Sequence, residues 1–176
     1  MLNSDGSLKG QSGGSAFGGS PPVSPSQGEA FNYGYDVASL GDLDGDGIPE
    51  VAVGAYNYFD QAWGTGRGFV LFFDANQDIQ AIQPIGTNQG GFPGVLDEDD
   101  GFGVGLASLG DMDGNGLSDL AVGAKYDGDG GVGTGAVWVL MLNSDATVRQ
   151  TRKLSNLHGG LGPVFTPGQQ AGFRVA

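Results

Sequence analysis

The residues best suited to chemistry are Asp42, Asp44, Asp46 and Glu50, spaced through the nine-residue stretch Asp42 to Glu50 at its first, third, fifth and ninth positions. The stretch recurs as Asp111, Met112, Asp113, Gly114, Asn115, Gly116, Leu117, Ser118 and Asp119, with side-chain oxygens at the same four positions. Oxygen donors in this pattern suit Ca2+, a hard cation that binds oxygens at about 2.3–2.6 Å. The expected ligands are Asp42, Asp44, Asp46, the Ile48 carbonyl and Glu50 in one loop. In the other they are Asp111, Asp113, Asn115, the Leu117 carbonyl and Asp119. Glycines at the fourth and sixth positions let the chain curl so that the carboxylates converge. They would repel one another unless a divalent cation stood between them.

The flanks decide which kind of loop this is. An EF-hand needs a bidentate Glu at its twelfth position and helices on both sides, whereas the twelfth position here is Val53, and Val122 in the second copy. The neighbouring segments, Val37 to Leu40 and Val51 to Ala55, are short apolar runs that read as buried strands. The loop is therefore a strand-to-strand connection. Four strands are expected per unit, at about 33–40, 50–55, 68–73 and 78–85, separated by Gly, Asp and Asn turns. In the second unit, Ala136 to Met141 is apolar on both faces, as for a sheet packed between two others, which makes Trp138 a core residue. The first two strands are rich in small residues suited to a crowded axis. The fourth carries Gln80, Gln83, Arg149, Arg152 and Lys153, polar residues that suit an outer edge.

Internal repetition organises the whole chain. Ala38, Ala107 and Ala176 recur at a constant spacing of 69 residues, as do Asp42 and Asp111, Gly54 and Gly123, Thr65 and Thr134, and Gly90 and Gly159. Met1 to Asp5 resembles Met141 to Asp145, so the chain reads as opening within an earlier copy and closing, at Phe173 to Ala176, within a later one. The expected segments are 1–30, the end of a unit plus connector; 31–100 and 101–170, complete units; and 171–176, the start of another. Gly10 to Gly28, which alone would pass for a Ser/Gly/Pro linker, shares Gly13, Gly14 and Phe17 with Gly90, Gly91 and Phe92. It reads as a recurring connector.

Composition narrows the function classes. Seven Lys plus Arg against 20 Asp plus Glu give a net charge of −13 over 176 residues, which argues against nucleic acid or an anionic membrane as partner. Seven of the acids lie in the two loops. Cysteine is absent, which excludes disulfides and thiolate zinc sites. No apolar run approaches membrane-spanning length, and the opening Met1 to Asp5 lacks the features of a signal peptide, so an export signal would lie outside these residues. An enzyme is not expected. The single His158 sits among connector glycines as a surface residue, no Ser lies in a nucleophile elbow, and the acids that could serve glycoside hydrolysis are accounted for as metal ligands.

Four antiparallel strands per unit, with small residues inside and both sheet faces apolar, describe propeller blades, an all-β architecture. Phe102 and Gly103, then Ala107, Ser108, Leu109, Gly110 and Asp111, the acidic loop, and Leu120 to Ala124 together resemble the FG-GAP repeat, the blade of the integrin alpha-subunit propeller. The likeness covers nearly the whole chain. In the first unit Tyr33 and Gly34 stand for the Phe-Gly pair, and Tyr56 and Lys125 stand where Pro usually follows Gly-Ala, departures that leave the metal ligands intact. The resemblance implies a seven-bladed propeller with Ca2+ in the loops between first and second strands, and an extracellular or cell-surface setting. It also implies recognition of a protein or glycan on the opposite face, through loops such as Tyr56 to Trp63 and Tyr126 to Gly131. At 69 residues per unit the chain reads as roughly two and a half blades, fewer than the 4 to 8 of a closed propeller. The rival expectations are an accessory propeller beside an extracellular hydrolase and a purely structural repeat.

Overall fold

A computed structural model describes residues 32–59, 63–160 and 162–175. The expectations for Met1 to Asp5, for the Gly10 to Gly28 connector and for Ala176 fall outside these residues. Eight strands form two four-stranded antiparallel sheets in simple meander order. The first contains β1 (Val37–Gly41), β2 (Glu50–Ala55), β3 (Arg67–Phe73) and β4 (Ile79–Ile85). The second contains β5 (Phe102–Gly110), β6 (Asp119–Ala124), β7 (Ala136–Leu142) and β8 (Val148–Leu154). Among the described residues there is no helix.

Side-chain alternation along each strand supplies two apolar faces per sheet. In the first sheet Ala52 pairs with Val70 and Val53 with Phe69, and the two pairs serve different cores. Ala52, Val70, Phe72 and Leu40 pack with Phe102, Leu106, Leu120, Val122, Trp138 and Leu140 into one cluster shared by both sheets. Val53, Ala55, Phe69 and Leu71 form a separate cluster on the far face. Trp138 is buried in the shared core, with its ring edge-on to Phe92 at 4.9 Å between centroids. The third strands are buried almost throughout, and β4 and β8 lie at the outer edge of their sheets.

One backbone contact fixes how the sheets stack. A Cβ at Gly54 of β2 would collide with the carbonyl oxygen of Gly103 in β5, so the two glycines let main chain approach main chain. A parallel bridge from Gly66 to Phe102 joins the sheets beside this contact. The same joint recurs one repeat later, where Gly123 lies against Gly172 and Gly135 bridges Ala171.

The expected first strand is longer than the observed one. Residues 33–36 form a turn, with the Gly34 and Tyr35 amides both donating to the Gly54 carbonyl, and pairing with β2 starts only at Val37. In the second sheet the equivalent segment is strand from Phe102 onward.

Candidate metal centres

Each acidic loop leaves its sheet through a bulge, between Ser39 and Gly41 in one case and Ser108 and Gly110 in the other. Within the loops Gly45, Gly47, Gly114 and Gly116 all adopt positive φ, between 81° and 90°, a conformation that glycine alone tolerates freely. These turns aim backbone N–H groups inward at the first aspartate. Asp42 accepts from Gly45 at 2.8 Å and Gly47 at 2.9 Å. Asp111 accepts from Gly114 at 2.7 Å, Asn115 at 3.0 Å and Gly116 at 2.9 Å. The Gly116 amide leads the donors that hold the Asp111 carboxyl below its usual range.

The structure brings Asp42, Asp44 and Glu50 together in one loop and Asp111, Asp113 and Asp119 in the other, with ligand-capable oxygens within 4.8 Å of one another in each group. Asp46 lies outside the first of these groups. Asp46 accepts from the Ile48 amide at 2.8 Å, and Asn115 accepts from the Leu117 amide at 2.7 Å. Ile48 and Leu117 are half-buried at the seventh position.

The ninth position closes each loop, and here the two differ. Glu50 is wholly buried. Its Oε2 accepts from the Leu43 amide at 2.6 Å, while Oε1 is buried with no hydrogen-bond partner. Burial raises the Glu50 pKa; the Leu43 amide opposes that shift, and Asp44, Asp46 and Asp42 add to it. A buried carboxylate short of one partner, facing other carboxylates, is a site that a cation would complete. Asp119 is equally buried, but both of its oxygens are used, by the Met112 amide at 2.9 Å and the Leu142 amide at 3.1 Å. The donor set of the first loop therefore fits a hard divalent cation well, and that of the second fits it less well.

The opposite ends of the strands carry a second polar assembly that sequence reasoning missed. Lys153 lies 2.7 Å from Asp127 and 2.8 Å from Asp129. Its ammonium also stands 5.1 Å from the centre of the Trp138 ring. Burial lowers the Lys153 pKa, but these two carboxylates outweigh it and leave the value raised. His158 is exposed, as expected, yet its Nδ1 contacts Asp129 at 2.8 Å and the Ser155 hydroxyl at 3.3 Å. Ser155 itself donates to Asp129. Serine and aspartate thus meet the same ring nitrogen, whereas a nucleophilic triad needs them on opposite nitrogens, so the group ties down the connector. The only signal in the sequence was the presence of Asp127, Lys153 and His158 in one unit where the other has Tyr58, Pro84 and Gln89.

Aromatic residues gather on this side as well. Lys125 is sandwiched by the rings of Tyr56, Tyr126 and Phe173, at 4.4, 4.7 and 5.2 Å. Phe59 and Trp63 pack edge to face at 5.3 Å and remain exposed.

A four-stranded meander with an acidic loop between its first and second strands, stacked on a second copy through a glycine joint, is a β-propeller blade. The family model described as FG-GAP repeat matches residues 33–73 and 102–140, so the chain carries FG-GAP repeats. It is 37% identical to integrin alpha-6 of Gallus gallus over 106 residues, which are 60% of this chain and 9% of that protein. Integrin alpha-7 of Homo sapiens is 36% identical over 100 residues, 57% of this chain and 8% of the relative. Integrin alpha-3 of Cricetulus griseus is 31% identical over 130 residues, 72% of this chain and 11% of the relative. The chain spans about a tenth of the length of the curated relatives it matches.

Proposed function

We propose that the chain is a calcium-binding segment of a multi-bladed propeller, in a secreted or cell-surface protein, that presents a rigid surface for adhesion to a protein or glycan. The observation that carries the calcium reading is the orphaned Oε1 of Glu50, buried among Asp42 and Asp44. Asp42, Asp44, Asp46, the Ile48 carbonyl and Glu50 would hold one ion. Asp111, Asp113, Asn115, the Leu117 carbonyl and Asp119 are the equivalent set. When bound, the ion supplies positive charge and ties both ends of the loop together. The residues themselves set the curl, exclude water from Glu50 and fix the mouth of the sheet.

The adhesion reading rests on the likeness to integrin alpha subunits and on the exposed Phe59 and Trp63, since aromatic side chains on loops of a rigid scaffold are frequent interface anchors. We assign the chain no catalytic role and take 31–100 and 101–170 as the blade units of a seven-bladed ring. Calorimetric titration with Ca2+, beside Asp44→Ala and Asp113→Ala, tests the metal reading. Heat of binding that Asp44→Ala removes is the expected result, and the absence of any heat with the parent chain would sink it. For the surface, a glycan and matrix-protein array probed with the chain and with Trp63→Ala should show a signal that the substitution reduces.

A further inference from the structure

The two loops match position by position, yet the residue facing each from the fourth strand does not. Arg149 of β8 reaches Asp113, its Nη2 in direct contact with Oδ2. One repeat earlier the equivalent position is Gln80, an exposed residue of β4 that borders the same groove as Asp44. Two further differences point the same way. Asp119 has both oxygens committed to backbone amides, where Glu50 has one spare. Asn115 replaces Asp46, and its amide nitrogen is fixed on the Leu142 carbonyl at 3.0 Å. The second loop therefore sets three carboxylates against a resident guanidinium, while the first sets four against none among the described residues.

We propose that Arg149 is the built-in cation of the second loop and holds that loop's affinity for Ca2+ well below the first's. The inference rests on the calcium reading given above. A guanidinium keeps its charge at any pH the fold survives, so it cannot yield the site by losing a proton. It must swing out, and with its side chain 46% exposed it has room to do so. An entering ion thus loses the neutralisation that makes the first loop favourable to it, and meets a like charge until the arginine leaves. Exposed ion pairs are individually weak and screened, so the expected effect is about twofold to fivefold in the dissociation constant.

The test is calorimetric titration of the whole chain with Ca2+, comparing the parent with Arg149→Gln and Gln80→Arg, and using Asp44→Ala and Asp113→Ala to assign the sites. Both substituted positions are exposed, and melting curves in chelator check that the variants fold like the parent. Arg149→Gln should tighten only the weaker site, the one Asp113→Ala removes, and Gln80→Arg should weaken only the tighter one. In 15N spectra the Arg149 side-chain Nε signal should move only at the Ca2+ concentrations that fill the weaker site. Equal affinities in the parent, or a weaker site unmoved by Arg149→Gln, would overturn the role of Arg149 and leave the calcium reading standing. A single site in both parent and Arg149→Gln also overturns it. No binding at either loop in any variant removes the calcium reading itself.

Discussion

One methylene separates the fates of Glu50 and Asp119. The shorter side chain fits between two backbone amides and satisfies both; the longer one reaches only Leu43 and leaves an oxygen stranded. Because burial makes the ionised form of Glu50 costly, Glu50→Gln should raise the melting temperature in chelator, by about 2–4 °C for a chain of this size, and abolish the gain on adding Ca2+. Melting curves with and without chelator would read both effects, and a preserved calcium gain would count against the role of Glu50. A second buried acid gives a pH signature. Burial pushes Asp100 up to about 7; the Asp97 amide pulls against that, and Asp127 and Asp97 add to it. An acid whose folded value is raised binds more protons folded than unfolded, so its contribution to stability is lost as pH rises from roughly 4 to 7. Between pH 5 and 8 in chelator, the parent should lose about 5–10 °C more than Asp100→Asn; parallel losses would contradict this. At this scale the sequence was only half legible. Repeat spacing marked the two acidic loops, in which Asp42, Asp44 and Glu50, and Asp111, Asp113 and Asp119, lie together, but the contact of Arg149 with Asp113 spans 36 residues and two strands, and nothing local announces it.

Strand identity was readable wherever composition changed abruptly, as at Glu50 to Ala55, where acidic loop gives way to apolar strand and the observed β2 has the expected bounds. The first strand was not, because Tyr33 to Asp36 looks extended and the amides of Gly34 and Tyr35 are instead turned onto Gly54 by contacts between the first and second strands. The loops themselves anchor unequally. Leu43 is buried in the shared core, whereas Met112 at the equivalent position is largely exposed. Leu43→Ala should accordingly destabilise by about 2–5 kcal/mol, as for other core Leu to Ala changes, and Met112→Ala by less than about 1 kcal/mol. Urea unfolding would measure both, and comparable losses would show that the loops are seated alike. The strand joint allows a sharper test. Gly54→Ala places a methyl against the Gly103 carbonyl, a clash that the packed backbone can relieve only by moving the sheets apart. A loss of about 1–3 kcal/mol is expected, and a silent substitution would mean the joint yields.

For the molecule as a whole, the shared core makes the two sheets one cooperative body, since Leu40 of the first sheet and Leu43 of its acidic loop pack in the same cluster as Leu120 and Trp138 of the second. Binding to the folded form alone raises stability by mass action, so Ca2+ at the first loop should shift a single calorimetric transition upward and leave it single. Two transitions, one of them insensitive to the metal, would refute that coupling. The repeat made this architecture readable from spacing alone, whereas the angle at which one sheet meets the next is set by backbone contacts that no side chain advertises. Those contacts have a consequence for how such a chain changes over generations. At the joint the first partner strand offers Phe102 and Gly103 and the next segment Ala171 and Gly172, yet both seat in the same way because glycine faces glycine. A joint that does not consult side-chain identity needs no matched pair of mutations on its two sides. A unit copied in tandem arrives already able to dock on its parent, and its loops are free to drift toward different ions or partners while the stack persists.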